Sequence, residues 1–183
     1  MDEQSDEAPD EVLMARTAGG DERAFRALAR RHVPHVIALA RGILRNGADA
    51  EDVAQEAMLR VWTHAPRWKP IAPFRAWLRR VVVNLCLDRK RKIGFSPLEA
   101  AGDVVDAAPD AAARREARDE ERQLDVAIDR LPDRQRAAIV LTYHEGLSNA
   151  QTAEALDTTV KAVETLLVRA KQALREALGA KID

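Results

Sequence analysis

The chain has 183 residues, room for one ordinary domain or two small ones, and its 46% hydrophobic content with only 4% aromatic residues suits compact helical modules. A formal net charge of −1 excludes a globally basic nucleic-acid binder, so any such contact must come from local patches. The single cysteine excludes an intrachain disulfide framework, and neither a membrane-length apolar run nor a basic leader is present, so a cytoplasmic location is expected.

Residues 1–11 carry Asp2, Glu3, Asp6, Glu7, Asp10 and Glu11 with no basic partner, which predicts a disordered acidic tail. From Val12 to Lys92 the pattern is helical, with punctuation at Gly19-Gly20, at Asn46-Gly47 and across residues 65–73. Three or four helices fit there. In the run from Asp49 to Trp62, Asp49 is expected as the N-cap, and Val53, Ala54, Ala57, Met58 and Val61 form the buried arc. Asp52, Gln55, Glu56, Leu59 and Thr63 share the opposite face. A leucine among such groups is either a stray surface residue or an apolar anchor inside a polar rim, as in a helix-on-helix interface. Capping and solvation account for the carboxylates Glu51, Asp52 and Glu56, since no histidine joins them at ligand spacing.

The helix after the loop 68–73 is expected to bury Phe74, Leu78, Val81, Val82 and Leu85, and to line up Trp77, Arg80, Asn84, Asp88 and Arg91 along one flank. Seven basic residues (Arg75, Arg79, Arg80, Arg89, Lys90, Arg91, Lys92) against Asp88 make this the local basic patch. Two or three cations suffice for a helix dipole. The surplus, with aromatic and amide neighbours, suits an extended nucleic-acid strand and an extruded base. Trp77 is expected to be partly core. His32 and His35 are expected at the surface and Cys86 as a small core thiol, with no metal and no cofactor.

Residues 96–123 hold two prolines, a glycine and an acidic first half; they read as a linker turning helical near Ala111. Periodicity resumes from Leu124, broken at Leu131-Pro132-Asp133. Ser148 is expected to cap a short helix to Leu156, and Asp157-Thr158-Thr159 to turn the chain into a second. On that second helix Val163, Leu166, Leu167, Ala170, Ala173, Leu174 and Ala177 face inward. Lys161, Glu164, Thr165, Val168, Arg169, Gln172 and Arg175 face outward, a mixture suited to base edges and phosphates. Spacing alone leaves DNA recognition and a plain helical hairpin equally open. The expected fold is all-α: two small helical domains joined by a linker, the C-terminal one containing a helix-turn-helix.

The stretch Glu145-Gly-Leu-Ser-Asn-Ala-Gln-Thr-Ala-Glu-Ala-Leu156, with Val160-Lys-Ala-Val163 and Leu167 to Arg175, resembles the promoter minus-35-binding domain of bacterial sigma factors, in particular the extracytoplasmic-function group. Residues 49–62 and 74–92 resemble the sigma domain that binds core polymerase and opens the minus-10 element. Two departures stand out: Asp157 replaces a usual glycine in the turn, and Glu164 and Leu166 occupy places where basic residues are common. Asp tolerates the left-handed backbone the turn needs, and Glu164 favours a cytosine amino group over a guanine edge.

The resemblance implies a non-enzymatic specificity subunit. Residues 12–95 would form sigma domain 2, 96–123 a linker and 124–183 sigma domain 4. Core RNA polymerase (β′ clamp and β subunit), promoter DNA and an anti-sigma factor would be the partners. Asp52, Gln55, Glu56 and Leu59 would dock on polymerase, and Trp68, Phe74, Arg80, Asn84 and Arg91 would hold the minus-10 element. Lys161, Glu164, Thr165, Val168 and Arg169 would read minus-35. A helix-turn-helix regulator acting without core polymerase is the alternative.

Overall fold

A computed structural model describes residues 8–94 and 122–179. They fall into two compact units that part after Gly94, and no strand occurs among the described residues. The first unit holds α1 (Asp10–Ala18), α2 (Glu22–Leu44), α3 (Gly47–His64), a single 3-10 turn (Ala65–Arg67) and α4 (Phe74–Gly94). The Asp21 carboxylate starts α2 by accepting from the backbone N–H groups of Arg23 and Ala24 at 2.9 and 3.2 Å.

Helix α3 is capped one turn earlier than expected. Asn46 Oδ1 accepts from the Asp49 N–H at 3.0 Å, so Asp49 is a first-turn residue and not the cap. Its carboxylate is thereby left to pair with Arg89 of α4 at 2.7 Å. The expected inner arc of α3 is buried throughout, against Leu28, Leu39 and Ile43 of α2 and Val82 and Cys86 of α4 in one core. On α4, Val81 is half-exposed, and Val83 and Cys86 take the buried places beside Val82.

The acidic tail is shorter than the sequence suggests. Residues 1–7 lie outside the described residues, but Asp10 opens α1 and is only 8% exposed. Arg31 of α2 donates to the Ala8 carbonyl at 3.0 Å and also to the Asp10 carboxylate. His32 Nε2 lies 3.0 Å and Arg75 Nε 3.5 Å from the same carboxylate. One residue on, Glu11 Oε1 accepts from the Phe74 N–H at 3.2 Å and so starts α4. Local composition hid these contacts because every partner comes from α2 or α4. His32, expected at the surface, is likewise buried, its ring 5.2 Å from that of Phe74.

The second unit is helical over residues 122–129 (α5), then forms α6 (Asp133–Ile139), a wider turn (Val140–His144), α7 (Asn149–Ala155) and α8 (Val160–Leu178). Of the expected linker, residues up to 121 lie outside the described residues, while 122 and 123 already belong to α5. Pro132 caps α6 as the break at Leu131-Pro132 suggested. Arg136 is buried beneath that corner, donating to the Asp129 carbonyl at 2.8 Å and pairing with Asp133. Arg134 ties α6 to the end of α7 through the Leu156 carbonyl at 3.1 Å.

A capping box opens α7: Ser148 Oγ accepts from the Gln151 N–H, and the Gln151 side chain accepts from the Ser148 N–H. Asp157 turns the chain at φ +50°, a left-handed value that costs most residues about 1–2 kcal/mol. Thr159 Oγ1 then caps α8 through the Ala162 N–H at 3.2 Å. Val163, Leu167 and Ala170 of α8 reach the core with Leu141 and Leu156, whereas Ala177, expected inside, is exposed beyond the last packed turn.

Replacing Asp10 by Ala leaves the half-buried Arg31 without its carboxylate and is expected to lower stability at pH 7 by about 2–3 kcal/mol in chemical denaturation. Burial pushes the Asp10 carboxyl up, but the His32 and Arg31 hydrogen bonds outweigh it and hold the group below its ordinary 3.8. A carboxyl lowered by folding stabilises above its ordinary value and loses that contribution as pH falls through the folded one. The gap between wild type and Asp10→Ala therefore closes below about pH 4. In the second unit, Asp157→Gly keeps or raises the melting temperature, while Asp157→Val costs about 1–2 kcal/mol.

Candidate polymerase and nucleic-acid interfaces

The outward face of α3 presents Asp52, Gln55, Glu56 and Leu59 together, all exposed, with Leu59 at 55%. Glu56 is braced by Arg60 at 3.2 Å, and the Thr63 hydroxyl donates to the Leu59 carbonyl at 2.9 Å. Asp52 accepts from Arg89 Nη2 at 2.7 Å, so this guanidinium spans Asp49 and Asp52 and locks α4 against the first half of α3. An apolar group ringed by such polar atoms suits a partner helix better than solvent.

Around the loop before α4, the structure regroups the expected residues. Phe74 is 1% exposed, packed against His32, Trp68 and Trp77 at ring distances of 5.2, 6.4 and 5.8 Å. It is a core residue, with no exposed ring face for a base. Trp77 is half-buried, as expected, and stacks on His64 at 5.4 Å with ring planes 16° apart. Trp68 and Trp77 face a concavity of about 270 Å³, shared with His64, Arg67, Lys69 and Ile71, the last 89% exposed. Sequence reasoning missed His64 and Ile71. His64 ends the preceding helix, so only tertiary contact brings it beside Trp77.

Farther along α4, Arg80 is exposed, Asn84 half-buried and Arg91 exposed. The basic run is less open than its count suggests. Arg75 leans toward Asp10, Arg89 serves Asp49 and Asp52, and Arg91 pairs with Asp88 one turn back. Cys86 is fully buried, and burial pushes its thiol up to about 12, which makes it inert. Among the described residues no three His, Cys, Asp or Glu side chains stand together as a metal cluster.

On α8, Lys161, Glu164, Thr165, Val168 and Arg169 all lie on the exposed face, with Val168 at 65%. The Thr165 hydroxyl donates to the Lys161 carbonyl at 2.9 Å, which leaves its methyl and oxygen lone pairs outward. Leu166 is half-buried toward the inner side, so it is not part of that outward row. Such a face, on a helix entered through the Thr159 cap, mixes groups suited to base edges and to phosphates.

Residues 28–95 match the Sigma-70 region 2 family and residues 121–174 the Sigma-70 region 4 family. The sigma factor SigM of Mycobacterium tuberculosis is 37% identical over 173 residues, covering 94% of this chain and 86% of that protein. The sigma factor CnrH of Cupriavidus metallidurans is 33% identical over 184 residues, covering 95% and 96%. A solved structure of CnrH in complex with the cytosolic domain of CnrY matches with a TM-score of 0.67 at 32% identity, over 94% of this chain and 98% of that one. No described helix is long and apolar enough to cross a membrane. With both regions present in order and identity above 30% over nearly its whole length, the chain belongs to the extracytoplasmic-function RNA polymerase sigma factors.

Proposed function

We propose that this sigma factor docks on the β′ clamp of core RNA polymerase through Asp52, Gln55, Glu56 and Leu59. Trp68, Arg80, Asn84 and Arg91 meet the minus-10 element, with Trp77 and His64 walling the same side. Lys161, Glu164, Thr165, Val168 and Arg169 read the minus-35 element. The observation that carries this reading is the exposed Leu59 within its polar rim, combined on one chain with an outward base-reading face on α8. In this assignment residues 12–95 serve polymerase and minus-10 binding, 96–123 connect, and 124–183 serve minus-35 binding.

The chain acts in the cytoplasm as a specificity subunit and not as an enzyme, since bond formation belongs to core polymerase. It is held inactive by an anti-sigma partner, a reading supported by the complex of its relative CnrH with CnrY. No observation favours a regulator that works without core polymerase.

Leu59→Arg is expected to weaken binding to core polymerase by about 30-fold, the equivalent of about 2 kcal/mol at an interface anchor. Circular dichroism should be unchanged, because the side chain points to solvent. Unaltered affinity in a titration with core would remove α3 from the polymerase interface.

Glu164→Lys tests the upstream assignment. A carboxylate near phosphate is repelled, so it is useful mainly as an acceptor for a cytosine amino group, a contact worth about 1–3 kcal/mol in discrimination. The variant should bind DNA more tightly, with a steeper salt dependence, and lose preference at one minus-35 position in a randomised library. Identical selected sequences for both proteins would make Glu164 a bystander.

A further inference from the structure

A second pocket in the first unit lies between α2 and α4, on the side away from the promoter-facing flank. At about 100° per residue, Arg75, Leu78, Arg79 and Val82 project from the side of α4 opposite Arg80 and Asn84. With Arg31, His32 and His35 of α2 these residues enclose about 250 Å³, floored by Val36, Leu39, Leu78 and Val82. That volume is below the usual range for an organic ligand, roughly 300–1,000 Å³, but ample for a small anion. Its mouth is formed by the exposed His35 and Arg75, so a group carried on a larger molecule can enter.

Three guanidiniums line or border this space, and one carboxylate, Asp10, stands at its edge. His32 does not add charge: burial pushes its pKa below the ordinary 6.5 despite the Asp10 carboxylate beside it. Among the described residues the lining thus carries more arginine than carboxylate. Arg79 makes the case specific. Its Nε is buried and has no acceptor among the described residues, and Arg79 lines the pocket. A buried donor without a partner is costly, and native structures resolve such a group with water or a bound ion.

We propose that this pocket is an anion site that takes a phosphate group, with Arg79 as the inner fork and Arg31 and Arg75 at the rim. Planar guanidiniums match the oxygens of phosphate, free or in a diester, in paired hydrogen bonds. The phosphate is either a free one or a nucleic-acid backbone phosphate reaching in through the mouth. The site is separate from the minus-10 flank, so its failure leaves the promoter assignment untouched.

The test is a nuclear magnetic resonance titration of the full chain, following the arginine Nε–H signals, with inorganic phosphate and with a short single-stranded oligonucleotide at constant ionic strength. A saturable shift of the Arg79 signal with inorganic phosphate is expected. Arg79→Met should abolish the phosphate response of the remaining pocket signals, and Arg79→Lys, which keeps charge but loses the fork, should weaken it at least about tenfold. A phosphate-induced rise in melting temperature should disappear in Arg79→Met, a comparison that cancels the general salting effect of phosphate. Should Arg79→Met not fold, the wild-type and Arg79→Lys titrations decide alone. A shift with the oligonucleotide but not with free phosphate supports the site and assigns its source to a nucleic-acid backbone. No Arg79 shift with either overturns the proposal.

Discussion

Helix α4 buries Phe74, Leu78, Val82, Val83 and Cys86, and this arc fixes where every other side chain of the helix can point. One flank then carries Trp77, Arg80 and Asn84, and the other carries Arg75 and Arg79. The last turns bring Arg89 across to α3. Three sets of side chains are thus distributed around one cylinder by the 3.6-residue period. The start of the helix is held by Glu11 at the Phe74 N–H, and its far end by Arg89 between Asp49 and Asp52. The α3 face proposed for polymerase is therefore braced by the same helix that carries the residues proposed for the minus-10 element.

The second unit secures its reading helix by other means. Local chemistry sets the entry to each helix: Pro132 before α6, the Ser148–Gln151 box before α7, and Thr159 before α8. Two arginines do the long-range work, Arg136 under the α5–α6 corner and Arg134 on the Leu156 carbonyl. Because Leu156 directly precedes the left-handed Asp157, Arg134 also steadies the turn that aims α8. The start of the outward row from Lys161 to Arg169 is thus tied to the turn by hydrogen bonds on both sides of Asp157.

Much of this was legible from periodicity, because amphipathic helices advertise their inner face: the buried arc of α3, the exposed Leu59 and the outward row of α8 all follow from residue spacing. What spacing missed came from partners distant in sequence. Asp10 and Glu11 looked like tail because Arg31, His32 and the Phe74 amide are 21 to 63 residues away. Phe74 was expected in the buried arc from spacing, and that expectation, not its minus-10 assignment by family resemblance, agrees with its burial. The basic run of α4 was over-counted because Asp49 and Asp52 lie a helix earlier. Asn46, not Asp49, capped α3 because both residues satisfy the capping rule and only backbone geometry selects between them.

The claim on which the account stands is that sequence reading by this chain belongs to a complex with core RNA polymerase. Its most direct test is transcription in vitro from fragments of the host genome, with core polymerase and the full chain present together or singly, and start sites mapped. The account predicts discrete starts only when both are present, each preceded by shared sequence elements at the minus-10 and minus-35 spacings. No added starts with both components, together with a sequence-specific footprint by the chain alone, would contradict it.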